Sequence, residues 1–138
     1  MSYQTTNPNG AKELLDAADG YLYVDVRTIE EFIEGHVPGA YNVPIAFRAP
    51  AGMQPNEAFL EVMRRHFPTD TKLVLGCKMG GRSMHACELL AQEGFTNLVN
   101  MHGGFHGAID ASGAVSEPGW AACGFSQEIG RASCRERV

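Results

Sequence analysis

The feature that most constrains this chain is an alternation. Short runs rich in β-branched, aromatic and leucine side chains are YLYVDV (21–26), AYNV (40–43), TKLVLGC (71–77) and FTNLVNM (95–101). Segments with helical periodicity separate them. A continuous apolar run of strand length suits a strand covered on both faces, and strands alternating with helices build parallel βαβ units. The expectation is therefore an α/β protein: an open, mainly parallel sheet with helices on both faces. Ligands of such sheets sit outside the carboxyl ends of the strands. Asp25 and Cys77 both close strand runs, so the topology predicts that they share one rim.

The helices carry their own start and stop signals. AKELLDAAD (11–19) places Leu14, Leu15 and Ala18 on one side and stops at Gly20. RTIEEFIEGH opens with Thr28 three positions before Glu31, a capping box. Asn56 is expected to cap NEAFLEVMRRHF, and Ser83 to cap SMHACELLAQEG, which ends at Gly94. Residues 45–55 read as a loop punctuated by proline and glycine. HGGFHGAID (102–110) reads as Gly-rich with one helical turn, and Trp120 as packing in a short closing element. Methionines are expected to fill the core.

At 138 residues the chain is one domain's worth, 44% hydrophobic and 20% charged, with no apolar run long enough to span a bilayer. Its formal charge of −5 gives no support to a nucleic-acid or anionic-membrane partner, which need concentrated basic surface. The N-terminus lacks a basic segment followed by an apolar one, so a cytoplasmic protein with reduced thiols is expected. Cys77, Cys87, Cys123 and Cys134 form no CxxC, which argues against a disulfide framework or zinc knuckle; no metal or cofactor is expected. His102 and His106, four apart, have ligand spacing, but the intervening glycines weaken the helix that would align them. The last ten residues, IGRASCRERV (129–138), resemble a translated short-read sequencing adapter. They are read as a non-native tail behind a domain of residues 1–128. Without that tail 8 basic and 15 acidic residues remain.

LVLGCKMGGRSMHA (73–86) is where chemistry concentrates. The Gly80–Gly81 pair permits positive φ and an inward turn of backbone N–H groups, a nest for an anion. The following helix adds unpaired N–H groups and the positive end of its dipole. A thiol at Cys77 would there be favoured as thiolate, with no histidine base needed. Lys78 and Arg82 could attract an anionic substrate, with Met79 a variable loop position. Three readings of Cys77 stay open at this point: a nucleophile, a small buried hydrophobe, or a bystander in a phosphate loop. GCKMGGRS matches a nucleotide-binding loop except that Arg82 stands where lysine is needed. Cysteine-dependent phosphatases and arsenate reductases use Cys-x5-Arg, a loop one residue longer than this Cys-x4-Arg. Cys87, four residues after Ser83, reads as buried, and His85 as solvated.

CKMGGRS resembles the active-site loop of rhodanese-type sulfurtransferases, Cys-x-x-Gly-x-Arg and a small residue. DVRTIEEFIEGHVPGAYNVP (25–44) resembles that family's other signature, and NMHGGFHGA its Gly-Gly stretch, without the tryptophan often found after it. The resemblance covers roughly residues 11–128. It implies a rhodanese fold with a five-stranded sheet. It also implies that a Cys77 persulfide carries sulfur from a donor such as thiosulfate, or a persulfide-carrying protein, to a thiol or cyanide. Lys78, Met79, Gly80, Gly81, Arg82 and Ser83 would form the loop that stabilises the persulfide. Asp25 and Arg27 would be supporting residues, with Arg27–Glu31 at pairing distance along a helix. Members of the fold also serve as non-catalytic adaptors, usually without the cysteine.

Overall fold

A computed structural model describes residues 3–79 and 81–130. In chain order the elements are β1 (Gln4–Thr6), α1 (Pro8–Asp16), β2 (Leu22–Asp25), α2 (Ile29–Glu34), β3 (Tyr41–Asn42), β4 (Ala46–Ala49), β5 (Gly52–Pro55), α3 (Phe59–His66), β6 (Leu73–Gly76), α4 (Gly81–Gln92), β7 (Leu98–Met101), β8 (Ala108–Ile109) and β9 (Val115–Glu117), then a 3₁₀ turn at Trp120–Cys123. Five of the strands form one sheet in the order β1-β7-β6-β2-β3, and every pairing in it is parallel.

Period-2 alternation divides the core between the two faces. Leu22 and Val24 of β2, Leu73 and Leu75 of β6, and Leu98 of β7 pack with Phe59 and Met63 of α3 and Ala86, Cys87 and Leu90 of α4. Tyr23, Val74, Val99 and Met101 point the other way, against Ala11 of α1, Phe32 of α2 and Trp120. Gly76 lies beneath Tyr23: a β-carbon there would stand 1.6 Å from the phenol oxygen. The chain steps outward from β2 to β3, then returns to lay β6 on the other side of β2. The strand order reverses between β2 and β6, and Asp25 pairs with Gly76 at that point, one residue before Cys77. This is where an open α/β sheet leaves a crevice.

Several local expectations shift. α1 begins at Pro8, because the Asn7 side chain accepts from the Gly10 N–H at 2.8 Å and caps it earlier. The Thr28–Glu31 capping box is present in full. Asn56 does not cap α3; its oxygen accepts from Ala58 N–H and its amide donates to Pro44 O, bracing the approach to the helix. Residues 45–55 are no plain loop: β4 and β5 pair as an antiparallel hairpin that turns at Pro50 and Ala51 and opens β5 with Gly52 at φ +114°. The hairpin hides from sequence because neither face is consistently buried. β1 hides for a similar reason, being three polar residues held by the edge of β7. HGGFHG forms turns rather than a helical turn. Met63 and Met101 fill the core as expected, whereas Met53, Met79 and Met84 are exposed. Of the expected tail, only Ile129 and Gly130 are described; the Gly130 N–H donates to Ile33 O at 2.7 Å, and Cys134 lies outside the described residues.

Candidate active site

Cys77 follows β6 directly and shares the face of Leu73 and Leu75, so its sulfur points toward α4. The residue is 2% exposed. The Ser83 N–H donates to Sγ at 3.4 Å, and the Ser83 hydroxyl lies 3.5 Å from the same sulfur. That N–H belongs to the first turn of α4, where backbone donors have no partner within the helix and the dipole is positive. Ser83 is thus the third residue of α4 and not its cap, because the helix already starts at Gly81. Gly81 has no left-handed φ; only Gly80, which lies outside the described residues, is left to carry that expectation. Lys78 and Met79 are exposed at the loop's crest.

Arg82 turns to α2. Its guanidinium binds Glu31 of α2 in two-pronged fashion, at 2.8 and 3.0 Å, so the ion pair ties the loop to the capping box. Burial works to raise the Glu31 carboxyl, but hydrogen bonds from Arg82 and from Thr28 prevail and hold it at about 2. The expected Arg27–Glu31 pair does not form. Arg27 precedes the Thr28 cap, at a bend outside the helix, and its side chain turns inward to Asp25 (2.7 Å) and to Gly35 O (2.7 Å). Asp25 and Arg27 are both almost fully buried, and the Phe105 ring covers the guanidinium with its centroid at 4.6 Å. Asn42 completes this brace, donating to the carbonyls of Asp25 and Arg27. Asp25 therefore serves Arg27, accepting from its backbone N–H as well as its guanidinium.

The Gly-rich stretch after β7 docks against the Cys77 loop. Phe105 N–H donates to Cys77 O at 2.7 Å, and His106 N–H to Lys78 O at 2.9 Å. Gly104, φ +58°, is what permits the approach, since a β-carbon there would meet Cys77 O at 2.4 Å. Trp120 packs behind, its backbone N–H donating to Gly104 O and its indole N–H to Ser126 O. His102, His106 and His85 are exposed. Burial, then the positive charges of Arg27 and Lys78, lowers the His106 imidazole from its ordinary value. Cys87 is fully buried in mid-helix, and burial pushes its thiol up to about 12.

Three contributors escape a reading of motifs alone. Glu31 is legible as a cap, yet its second job depends on a residue 51 positions away. Gly104 looks like any turn glycine. Asn100 is the most visible in retrospect: a polar side chain in the otherwise apolar, wholly buried run LVNM, with the Ser83 hydroxyl 2.5 Å from its Oδ1.

The whole defines an α/β protein with a cysteine held at a helix N-terminus on the switch point of a parallel sheet. Comparison with known proteins makes this specific. The family model for the rhodanese-like domain matches residues 7–111, and the chain belongs to that family. It is 44% identical over 86 residues to thiosulfate sulfurtransferase 16, chloroplastic, of Arabidopsis thaliana, covering 62% of this chain and 72% of that protein. It is 38% identical over 99 residues to protein HIGH ARSENIC CONTENT 1, mitochondrial, of the same plant, of which it spans 59%. The crystal structure of Rv0390 from M. tuberculosis superposes with a TM-score of 0.76 at 29% identity, covering 94% of this chain and all of that one.

Proposed function

We propose that this chain is a sulfurtransferase that carries a sulfane sulfur on Cys77. The observation that carries the reading is the cradle around Sγ, in which the Ser83 N–H and hydroxyl face one sulfur at the mouth of a helix. Such donors favour negative charge on sulfur in a site that excludes water. In the first half-reaction the Cys77 thiolate attacks the outer sulfur of a donor such as thiosulfate. The S–S bond of the donor breaks, sulfite leaves with its electron pair, and Cys77 holds a persulfide anion. In the second, a thiolate or cyanide attacks the outer sulfur and the Cys77 thiolate departs, closing a ping-pong cycle. With Cys77 only 2% exposed, the geometry favours donors whose transferable sulfur is terminal and unhindered.

In this reading Lys78 to Ser83 form the persulfide loop, Arg82 anchors it through Glu31, and Asp25 with Arg27 hold the β2 end beneath it. No metal or cofactor enters. Small sulfur compounds, or a protein bearing a persulfide, are the partners. Among the described residues no helix is long and apolar enough to cross a membrane. We place the reaction in the cytoplasm, whose thiols would serve as acceptors, although some matched relatives are named chloroplastic or mitochondrial.

The test is thiocyanate production from thiosulfate and cyanide. The expected result is turnover by the wild type and background for Cys77→Ser, with intact mass showing one added sulfur after thiosulfate alone. Equal rates for both proteins would overturn the reading. Arsenate reduction, assayed alongside, is expected to stay at background, in keeping with a Cys-x4-Arg loop too short for a tetrahedral oxyanion.

A further inference from the structure

Asn100 stands in the middle of the sheet where an apolar residue would be expected. All four residues of β7 are buried, Asn100 itself to 3% exposure, and its register partner on β6 is Leu75. An amide buried there costs free energy unless it is bonded. Alternation along β7 puts it on the face of α4, and its side chain meets the Ser83 hydroxyl at 2.5 Å. The same hydroxyl is 3.5 Å from Cys77 Sγ. Asn100, Ser83 and Cys77 thus form a chain of three groups, two of them absent from the apolar logic of the core.

The Ser83 hydroxyl has one proton and cannot give it to Asn100 and to Cys77 at once. With the amide oxygen of Asn100 facing it, the proton points to Asn100. Turned by half a rotation about its last torsion, the amide presents its NH₂, so that Ser83 accepts from Asn100 and directs its own proton at the sulfur. An anionic sulfur favours the second arrangement, because a hydrogen bond to a charged acceptor is worth more than one to a neutral amide. We infer that Asn100 is a positioning residue for sulfur chemistry at Cys77, holding the Ser83 hydroxyl beside Sγ and letting its proton follow the charge on that sulfur. As a thiolate, Sγ accepts the hydrogen bond of the hydroxyl, which keeps its proton. Once the persulfide forms, the charge moves to the outer sulfur and the hydroxyl returns to Asn100. Without Asn100 nothing on β7 holds the hydroxyl beside Sγ, and a backbone carbonyl one turn back, the usual competitor for a helical serine, draws it away from the sulfur.

This inference rests on Cys77 being the reactive sulfur, and its test separates the two. Alkylation of Cys77 by iodoacetamide reads the thiolate without any sulfur donor. The ratio of rates at about pH 7 and pH 10 isolates the ionised fraction from access. Ser83→Ala and Asn100→Leu are each expected to lower that ratio about five- to tenfold, the scale of one ordinary hydrogen bond, as suits the long 3.5 Å approach to sulfur. The double variant should fall no further than Ser83→Ala, since both remove the same contact. Asn100→Thr, which keeps a hydroxyl and suits a strand, should recover part of the ratio and guards against a Leu variant that folds poorly. An unchanged ratio in Asn100→Leu, a faster reaction, or full additivity with Ser83→Ala would overturn the inference. A Cys77 that alkylates with these dependences yet yields no thiocyanate would instead overturn the sulfurtransferase reading alone.

Discussion

Cys77 and Cys87 lie ten residues apart on one strand–loop–helix unit, and both are almost completely buried, at 2% and 0% exposure. They share a core cluster and even a face of the sheet. What separates them is where each meets α4. Cys87 sits in the middle of the helix, where every N–H is committed to a carbonyl one turn back, and it is buried within an apolar core cluster. Burial then raises its thiol to about 12, with Glu88 and Cys77 adding to the effect. Cys77 faces the first turn, where uncommitted N–H groups remain, and a serine and an asparagine extend that polarity. Burial is a poor guide to the chemistry of a thiol; the donors inside the burial decide it.

The widest separation between the two is expected in alkylation of the native protein. Iodoacetamide at neutral pH should modify Cys77 at least a hundredfold faster than Cys87, and the difference should collapse on unfolding, as read by peptide mass. Comparable native rates would break the contrast. A smaller but still large effect is expected from Gly104→Ala, which strikes only the Cys77 side. The new methyl group would need to occupy space 2.4 Å from Cys77 O and 2.6 Å from Lys78 backbone, at a left-handed φ. Strain and overpacking together should cost roughly 2–4 kcal/mol in urea unfolding and reduce thiocyanate turnover further than the stability loss explains. An alanine variant of wild-type stability and activity would show that the glycine-rich stretch does not brace the loop.

How much of this was legible before the fold was known follows from the range of each signal. The β6–Cys77–α4 unit is local, and its glycines, arginine and apolar runs sit within fourteen residues, so loop and helix could be placed together. The Thr28–Glu31 box was legible for the same reason. Contacts that cross the sequence were not. Arg82 reaches Glu31 across 51 positions, and Ser83 reaches Asn100 across a strand crossover. Arg27 illustrates the opposite failure: helical spacing to Glu31 suggested a pair, but Arg27 lies before the cap, where that spacing has no geometric meaning. The β4–β5 hairpin escaped because its residues alternate in no consistent polarity, being exposed almost throughout.

The smallest effect concerns what steadies the Cys77 side, and it can be read by pH. The Glu31 carboxyl is held at about 2 in the folded protein, below its ordinary 4.5, chiefly by Arg82 and Thr28 working against burial. A carboxylate whose folded value is depressed favours the fold fully above its unfolded value. That contribution fades as pH falls from about 4.5 through 2, and is gone only below 2, where both states are protonated. The pair is partly open to solvent, Arg82 at 27% and Glu31 at 16%, so screening reduces the contribution to about 1 kcal/mol. Glu31→Gln should therefore be less stable than wild type by about that amount at pH 6 in urea. The gap should narrow at pH 3 and vanish only below pH 2, whereas other carboxylates titrate equally in both proteins and cancel. A gap that is the same at pH 6 and pH 3 would mean that the glutamate contributes through shape and not charge. Because Glu31 touches Arg82 and nothing near Cys87, the variant should also slacken the reactive loop while leaving the mid-helix thiol as unreactive as before, which keeps the contrast between the two cysteines testable even where the energies are small.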